Sequence, residues 1–479
     1  MDRNLTALKP ALVWKHFAEI VRIPRPSHHE EAIRRYVLDF ARSLGLEASE
    51  DEAHNVLVRK PASKGMENRK GVILQAHLDM VPQKNNDKTF DFLTDPIDAY
   101  IDGEWVKAKG TTLGSDGILA VLEDDTLEHG PLEALFTATE ETGMDGAFGL
   151  QPGVLRGEIL LNLDSETEGE LYVGCAGGLD ANMTLPYGEE PTPAAGYAAA
   201  RLTVKGLKGG HSGIQIVCQR ANANKVLFRF LNAAPCELLL CSVDGGGLRN
   251  AIPREAEAVV LVPEAGYAAF AEAVAAYEKT IQEEFAGIED GVSIRVEPCA
   301  RPERMLPREA AMRLIRAVVG CPDGVQRMSM AMPGLVQTSS NLARVVSDGS
   351  AVRMQSLLRS SVRSEKFALG EAITAVFALA GATTELTGAY DGWNPDMQSP
   401  ILKAMTASYE ALYGRKPAVT AIHAGLECGI IGGKYPGLDM ISFGPTISYP
   451  HSPDEKVEIA SVAKFYDFLV HTLRNVPEK

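Results

Sequence analysis

Four short apolar runs end in the same kind of chemistry, and that coincidence restricts the fold more than any other feature of the chain. "GVILQA" (71–76) runs into His77 and Asp79, and "LEALFTA" (132–138) into Glu140 and Glu141. "EILLNL" (158–163) runs into Asp164, and the run 438–443 leads through "GPTISYPHSPDE" to His451. Runs of this length and bulk predict strands buried on both faces. With helix-like stretches between them they predict an α/β fold, a mixed, mostly parallel sheet flanked by helices. In open sheets of that kind, ligands gather at the carboxyl ends of strands. A lone strand-end His or Asp is commonly a cap or a satisfied turn. Packing does not account for four of them together.

A chain of 479 residues exceeds the size at which one core usually keeps growing, so two domains are expected. "PYGEEPTPAAGYAA" (186–199) is rich in Pro, Gly and Ala and breaks regular structure. Beyond it the texture changes. "AAARLTVKGLKGG", "AEAVVLVP" and "VSIRVEP" look like strands, and "RANANKVLFRFLNAA" and "YAAFAEAVAAYEKTIQEEF" like helices. A second set follows, with strands at "MSMAMP" and "AVRMQSLLRSS". The expected layout is a catalytic domain (1–187 and 385–479) interrupted by an inserted α+β lid domain (188–384), read as two similar lobes. Sixty-three acids against 47 Lys and Arg leave a net charge of −16, which disfavours nucleic acid as a partner. No run approaches the roughly 18 apolar residues of a membrane span, and the N-terminus lacks the continuous apolar core of a signal peptide. The seven cysteines form no CxxC pair and read as reduced thiols, so a cytoplasmic protein is expected.

His77 and Asp79 lie two apart, so on an extended chain both point to one side, with the carboxylate placed to orient the imidazole. Glu140 and Glu141 are adjacent like charges, which a nearby cation would reconcile: one carboxylate binds metal and its neighbour acts as a base. Asp164 ends an apolar strand, where an ionised carboxylate needs a partner. His451 stands between prolines in a stiffened loop. Asp116, in "GTTLGSDGILAVLEDD" (110–125), is either a helix-capping turn residue or a metal ligand.

The motifs "HLD", "GTTLGSD", "EETGMDGAFGLQ", "DSETEGELYVGCAGG", "GLKGGHSG", "LRNAIPRE", "AIHAGLECG" and "GPTISYPHSPDEKVEI" resemble the zinc-dependent peptidases that include the aminoacylases and the glutamate-releasing carboxypeptidases. The resemblance runs over essentially the whole chain. It implies two Zn2+ ions per chain, with Mn2+ or Co2+ as substitutes. His77 and Asp164 would hold one ion, Glu141 and His451 the other, and Asp116 would bridge them. Glu140 would be the general base and Asp79 would orient His77. His211 would stabilise the oxyanion, and Asn250 and Arg359 would grip substrate, Arg359 through the peptide's carboxylate. His423 and Glu427 would line the substrate pocket. The implied activity is hydrolysis of short peptides, Xaa-His and carnosine-like dipeptides above all. The large inserted domain either completes the site within one chain or pairs two chains, and a homodimer is the expectation. The alternatives are a related hydrolase of N-acyl amino acids and a relative with impaired catalysis. The second arises because the helix behind Asp116 is about six residues shorter than the family pattern. That is ~9 Å of rise and ~600° of rotation, so the loss is not a whole number of turns.

Overall fold

Strands buried on both faces need a partner on each side, and the four apolar runs find one another. The computed structural model describes residues 4–85, 88–113 and 118–479, and the chain divides into two units. The first comprises Met1–Cys175, Trp393–Ala421 and Leu426–Lys479. Its main sheet runs in the order Glu47–Glu50, Val56–Lys60, Leu132–Thr137, Val72–His77, Ile159–Asn162, Asp439–Ser442, Glu170–Cys175 and Ala418–Ile422. The central four strands are parallel, in a register that pairs His77 with Thr137, Gln75 with Asn162, and Asn162 with Ser442. Antiparallel pairing begins on either side, Val56–Lys60 against Leu132–Thr137 and Glu170–Cys175 against Asp439–Ser442. The sheet is thus mixed, with its parallel strands at the centre, where the four apolar runs lie. All six residues of Leu132–Thr137 are buried.

Helices cover this sheet through aromatic contacts. Phe443, next to the Asp439–Ser442 strand, lies 5.3 Å from both Phe465 and Phe468 of helix Ile459–Arg474, and Phe468 packs edge-on against Tyr409 of helix Pro400–Tyr413. Each buried aromatic of this kind contributes about 1.5–3 kcal/mol. Helix Pro400–Tyr413 starts on an N-cap, with Ser399 Oγ accepting from Leu402 N–H, and has Pro400 in its first turn. The helix behind Asp116 spans Ile118–Glu123, with Ile118 to Leu122 buried. Six residues are too few to be stable alone. Here the buried Lys60 Nζ donates to the carbonyls of Val121, Leu122 and Asp124, satisfying the helix's C-terminal acceptors.

The second unit comprises Ala176–Gly392 and Ile422–Gly425. Its sheet runs Ser293–Pro298, Tyr197–Lys205, Ala256–Pro263, Leu239–Gly246, Val336–Ser347, Ala351–Ser360, Gly177–Pro186 and Thr383–Tyr390. Gly324–Met328 pairs along Val336–Ser347. The two sets of elements seen in the sequence meet where Asp244 pairs with Val346 inside this one sheet. Gly246 makes that junction passable. Its φ is +77°, and a Cβ there would stand 1.8 Å from the carbonyl oxygen of Ala343. The strand Gly177–Pro186 precedes the Pro-rich stretch, so the chain has entered the second unit before reaching it. "MSMAMP" is not a strand beyond Met328. Ser329 N–H donates to Leu335 O and Leu335 N–H to Met332 O, closing a turn that leaves Met330 89% exposed. Pro333 and the left-handed Gly334 suit that turn and would have interrupted a ladder.

Candidate metal centre and substrate-contacting groups

Because the four central strands run parallel and in register, their carboxyl ends deliver side chains to one edge of the first unit. His77 is the last residue of its strand. Asp79, fully buried, accepts four hydrogen bonds or close polar contacts. Its Oδ1 takes Glu140 N–H at 2.9 Å and lies 3.2 Å from His77 Nδ1. Its Oδ2 takes Ser27 Oγ–H at 2.7 Å and Glu141 N–H at 3.2 Å. One carboxylate thus holds both the imidazole and the backbone of the paired glutamates. Thr139, just before them, has a left-handed φ of +53°, sustained by Glu30, whose Oε1 accepts from both Thr139 N–H and Oγ–H.

With Nδ1 committed to Asp79, His77 presents Nε2 to Asp164 Oδ1 at 3.3 Å. Across the cluster, His451 Nε2 lies 3.1 Å from Glu141 Oε2. Ligand-type atoms of His77, Glu140 and Glu141 all lie within 4.8 Å of one another. Burial raises the Glu140 pKa; His77 opposes that rise, Asp164, Glu427 and Glu141 add to it, and the net value stands well above the ordinary carboxylate range. Burial pulls the His77 imidazole down, but Asp164, Asp79 and Glu140 outweigh it and hold it well above its usual value. His451 is raised by its bond to Glu141. The cluster carries more negative charge than its own groups neutralise, which is the condition a cation resolves. Asp116 lies outside the described residues.

Glu427 is buried. It opens helix Glu427–Lys434 at 2% exposure, and its Oε2 accepts from Gln75 Nε2 at 2.6 Å and Thr137 Oγ1 at 2.8 Å. Its motif neighbour His423 belongs to the second unit instead. There His423, 6% exposed, bonds Ser339 Oγ through Nε2 at 2.7 Å; burial, then Arg359, lowers its pKa to about 3. His211 Nδ1 accepts N–H bonds from Gly213 and Ile214, both at 3.1 Å, so the neutral ring carries its proton on Nε2. A Cβ on Gly213 would meet the His423 carbonyl at 2.3 Å, so the His211 loop and the His423 segment are in close contact. Arg359 is 5% exposed, with Tyr390 Oη 3.4 Å from its Nη1 and no hydrogen-bond partner for Nε among the described residues. Asn250 is exposed, and its backbone carbonyl accepts Ser212 N–H at 2.8 Å.

The model of peptidase family M20/M25/M40 matches residues 73–475. The chain belongs to this family. Its members are metal-dependent. This M20 peptidase is 46% identical to the cytosol non-specific dipeptidase of Escherichia coli K12, over 99% of this chain and 100% of that one. A crystal structure of aminoacylhistidine dipeptidase from Vibrio alginolyticus matches with a TM-score of 0.94 at 47% identity, covering 99% of both chains. Aminopeptidase PepT from Bacillus cereus ATCC 10987 shares the fold, with a TM-score of 0.57 at 16% identity over 98% of this chain and 99% of that one. Among the described residues no helix is long and apolar enough to cross a membrane.

The structure also brings forward residues that the sequence reading missed. Ser27 and Glu30 precede the first strand by some distance, and no local motif ties them to Asp79 and Thr139. Gln75, Thr137, Asn162 and Ser442 sit inside apolar runs as buried polar residues. A lone Gln in "VILQA" was the available signal, since a polar side chain there needs a buried partner.

Proposed function

We propose that this chain is a dinuclear-metal dipeptidase that hydrolyses unblocked dipeptides, Xaa-His and carnosine-like dipeptides among them, in the cytosol. The observation that carries this reading is the set of His, Asp and Glu side chains at the carboxyl ends of four parallel strands, with Glu140 among them. The donors suit zinc. The separations of 3.3 Å between His77 and Asp164 and 3.1 Å between His451 and Glu141 are near the ~3.3 Å that tetrahedral bonds of ~2.0 Å impose on two ligands. His77 with Asp164, and Glu141 with His451, would each hold one ion, and Asp116 would bridge them. Mn2+ and Co2+ accept the same donors. When bound, the ions supply Lewis acidity toward the scissile carbonyl and toward water.

The protein's own groups do the rest. Glu140, whose surroundings strengthen its hold on a proton, takes the proton of the attacking water and passes it to the leaving amine. Asp79 keeps His77 in the tautomer that presents Nε2. In the second unit, His211 donates Nε2–H to a developing oxyanion. Arg359 receives the dipeptide carboxylate in a bidentate grip, with Asn250 and His423 as further substrate contacts. A homodimer is the assembly we expect, and sedimentation velocity checks it.

The test is hydrolysis of Gly-His and β-Ala-His, against N-acetyl amino acids, by zinc-loaded wild type and Glu140→Gln. Wild type should cleave the dipeptides, and the variant should keep its zinc while losing about 10²–10⁴-fold in rate. A zinc-loaded wild type that cleaves no dipeptide sinks the reading, and preference for the N-acetyl compounds replaces it with an acylase.

A further inference from the structure

Beneath the strand ends lies a hydrogen-bonded belt that the mechanism above does not use. Ser442 Oγ–H donates to Asn162 Oδ1 at 2.5 Å, and Asn162 Nδ2 donates to Gln75 Oε1 at 2.5 Å. Gln75 Nε2 donates to Glu427 Oε2 at 2.6 Å, and Thr137 Oγ1 donates to the same oxygen at 2.8 Å. Ser165 closes the far end on Ser442 at 2.6 Å. Each of the four parallel strands contributes one member, and every member except Ser165 is at most 2% exposed. Gln75 stands two residues before His77, Asn162 two before Asp164, and Thr137 three before Glu140.

The belt has a direction. Every donor points along it toward Glu427, so the carboxylate, which only accepts, fixes how both buried amides face. Yet Glu427 is itself incompletely satisfied. Its Oε1 is buried with no hydrogen-bond partner among the described residues, and no salt bridge to it is found among them. A neutral acceptor would orient the belt as well. A buried carboxylate with one bare oxygen is costly unless positive charge is close. The candidate metal-binding side chains His77, Glu140 and Asp164 stand two or three residues further along from the belt members Gln75, Thr137 and Asn162.

We propose that Glu427 is a positioning residue of the metal centre. Its carboxylate terminates the belt that ties the four ligand-bearing strands together, and its charge is balanced by the bound cations. This rests on the metal reading above and adds a role for a residue whose side-chain hydrogen bonds go to Gln75 and Thr137. It follows that the charge is a liability when no metal is bound and an asset when metal is present.

Glu427→Gln separates the two. It keeps an acceptor oxygen for Gln75 and Thr137 while removing the charge. Zinc affinity by chelator competition should fall about 10-fold or more, whereas the urea midpoint of the metal-free protein should stay level or rise. A residue that only fills space would give the opposite pair, a lower midpoint with unchanged affinity, and that result overturns the proposal. If the variant does not fold, Thr137→Val decides, since it keeps the carboxylate but removes one of its donors. About 2–5-fold weaker zinc binding is expected, and unchanged binding overturns the proposal. Wild type that binds no zinc refutes the metal reading itself, an outcome distinct from wild type and Glu427→Gln binding equally.

Discussion

Asp79→Asn is the substitution whose consequence can be worked most closely. The carboxylate receives Glu140 N–H beside His77 Nδ1 on one oxygen, and Ser27 Oγ–H and Glu141 N–H on the other. An amide can turn its oxygen to only one side. Facing His77 and Glu140, it leaves the NH2 toward Ser27 and Glu141. The Ser27 hydroxyl can rotate and accept, but the Glu141 N–H has nothing to bond. One buried backbone donor stranded costs about 1–3 kcal/mol, and the His77 contact loses its charge assistance as well. We expect the metal-free first unit to lose about 2–3 kcal/mol in urea unfolding. Both His77 and Glu141 are held by this group, so zinc affinity should fall about 10–100-fold, or ~1.4–2.7 kcal/mol. The pH dependence has a definite sign. Burial opposes ionisation of Asp79, but His77, Ser27 and the Glu140 N–H hold its pKa well below the usual carboxylate range. A depressed folded pKa contributes stability above the unfolded value of about 3.9 and loses it as pH falls through the folded one. The gap between wild type and variant should therefore narrow in strong acid. Zinc affinity within 3-fold of wild type, at unchanged stability, would refute the clamp.

Two further perturbations test the surroundings. His423 has a folded pKa of about 3 against an ordinary 6.5, so the unfolded chain binds its proton first and the second unit loses stability as pH falls through that window. His423→Gln should flatten the decline in melting temperature between pH 6.5 and 4.5, and identical slopes would count against it. A Cβ on Gly444 would stand 1.6 Å from the carbonyl oxygen of Ser165, the residue after Asp164. Gly444→Ala should thus cost about 2–4 kcal/mol and weaken zinc binding, read by urea unfolding and chelator competition.

The strand ends were legible because they combine two local signals, an apolar run and the ionisable residue that stops it. Their gathering could be argued from topology alone, since parallel strands align their carboxyl ends. What stayed hidden was contributed from a distance. Ser27 and Glu30 act on residues far along the chain, and the belt depends on register, which no single run encodes. The setting of Glu427 is hidden for the same reason: it opens helix Glu427–Lys434, and its bonds to Gln75 and Thr137 depend on how that helix packs on the sheet. The strand Val336–Ser347 has no apolar signature, because "QTSSN" lacks apolar alternation; its Thr338, Ser339, Ser340 and Asn341 are buried, and Thr338, Ser339 and Asn341 bond to other side chains or backbone.

The segment Ile422–Gly425 has a consequence for how such a chain can be rearranged. The second unit would look like a cassette, transferable by cutting near Cys175 and near Trp393, were it not for these four residues encoded further on. A transplanted cassette would carry Ser339 away from His423 and leave that hydroxyl buried without its partner. Recombination at the two obvious joints should therefore yield misfitted chimeras.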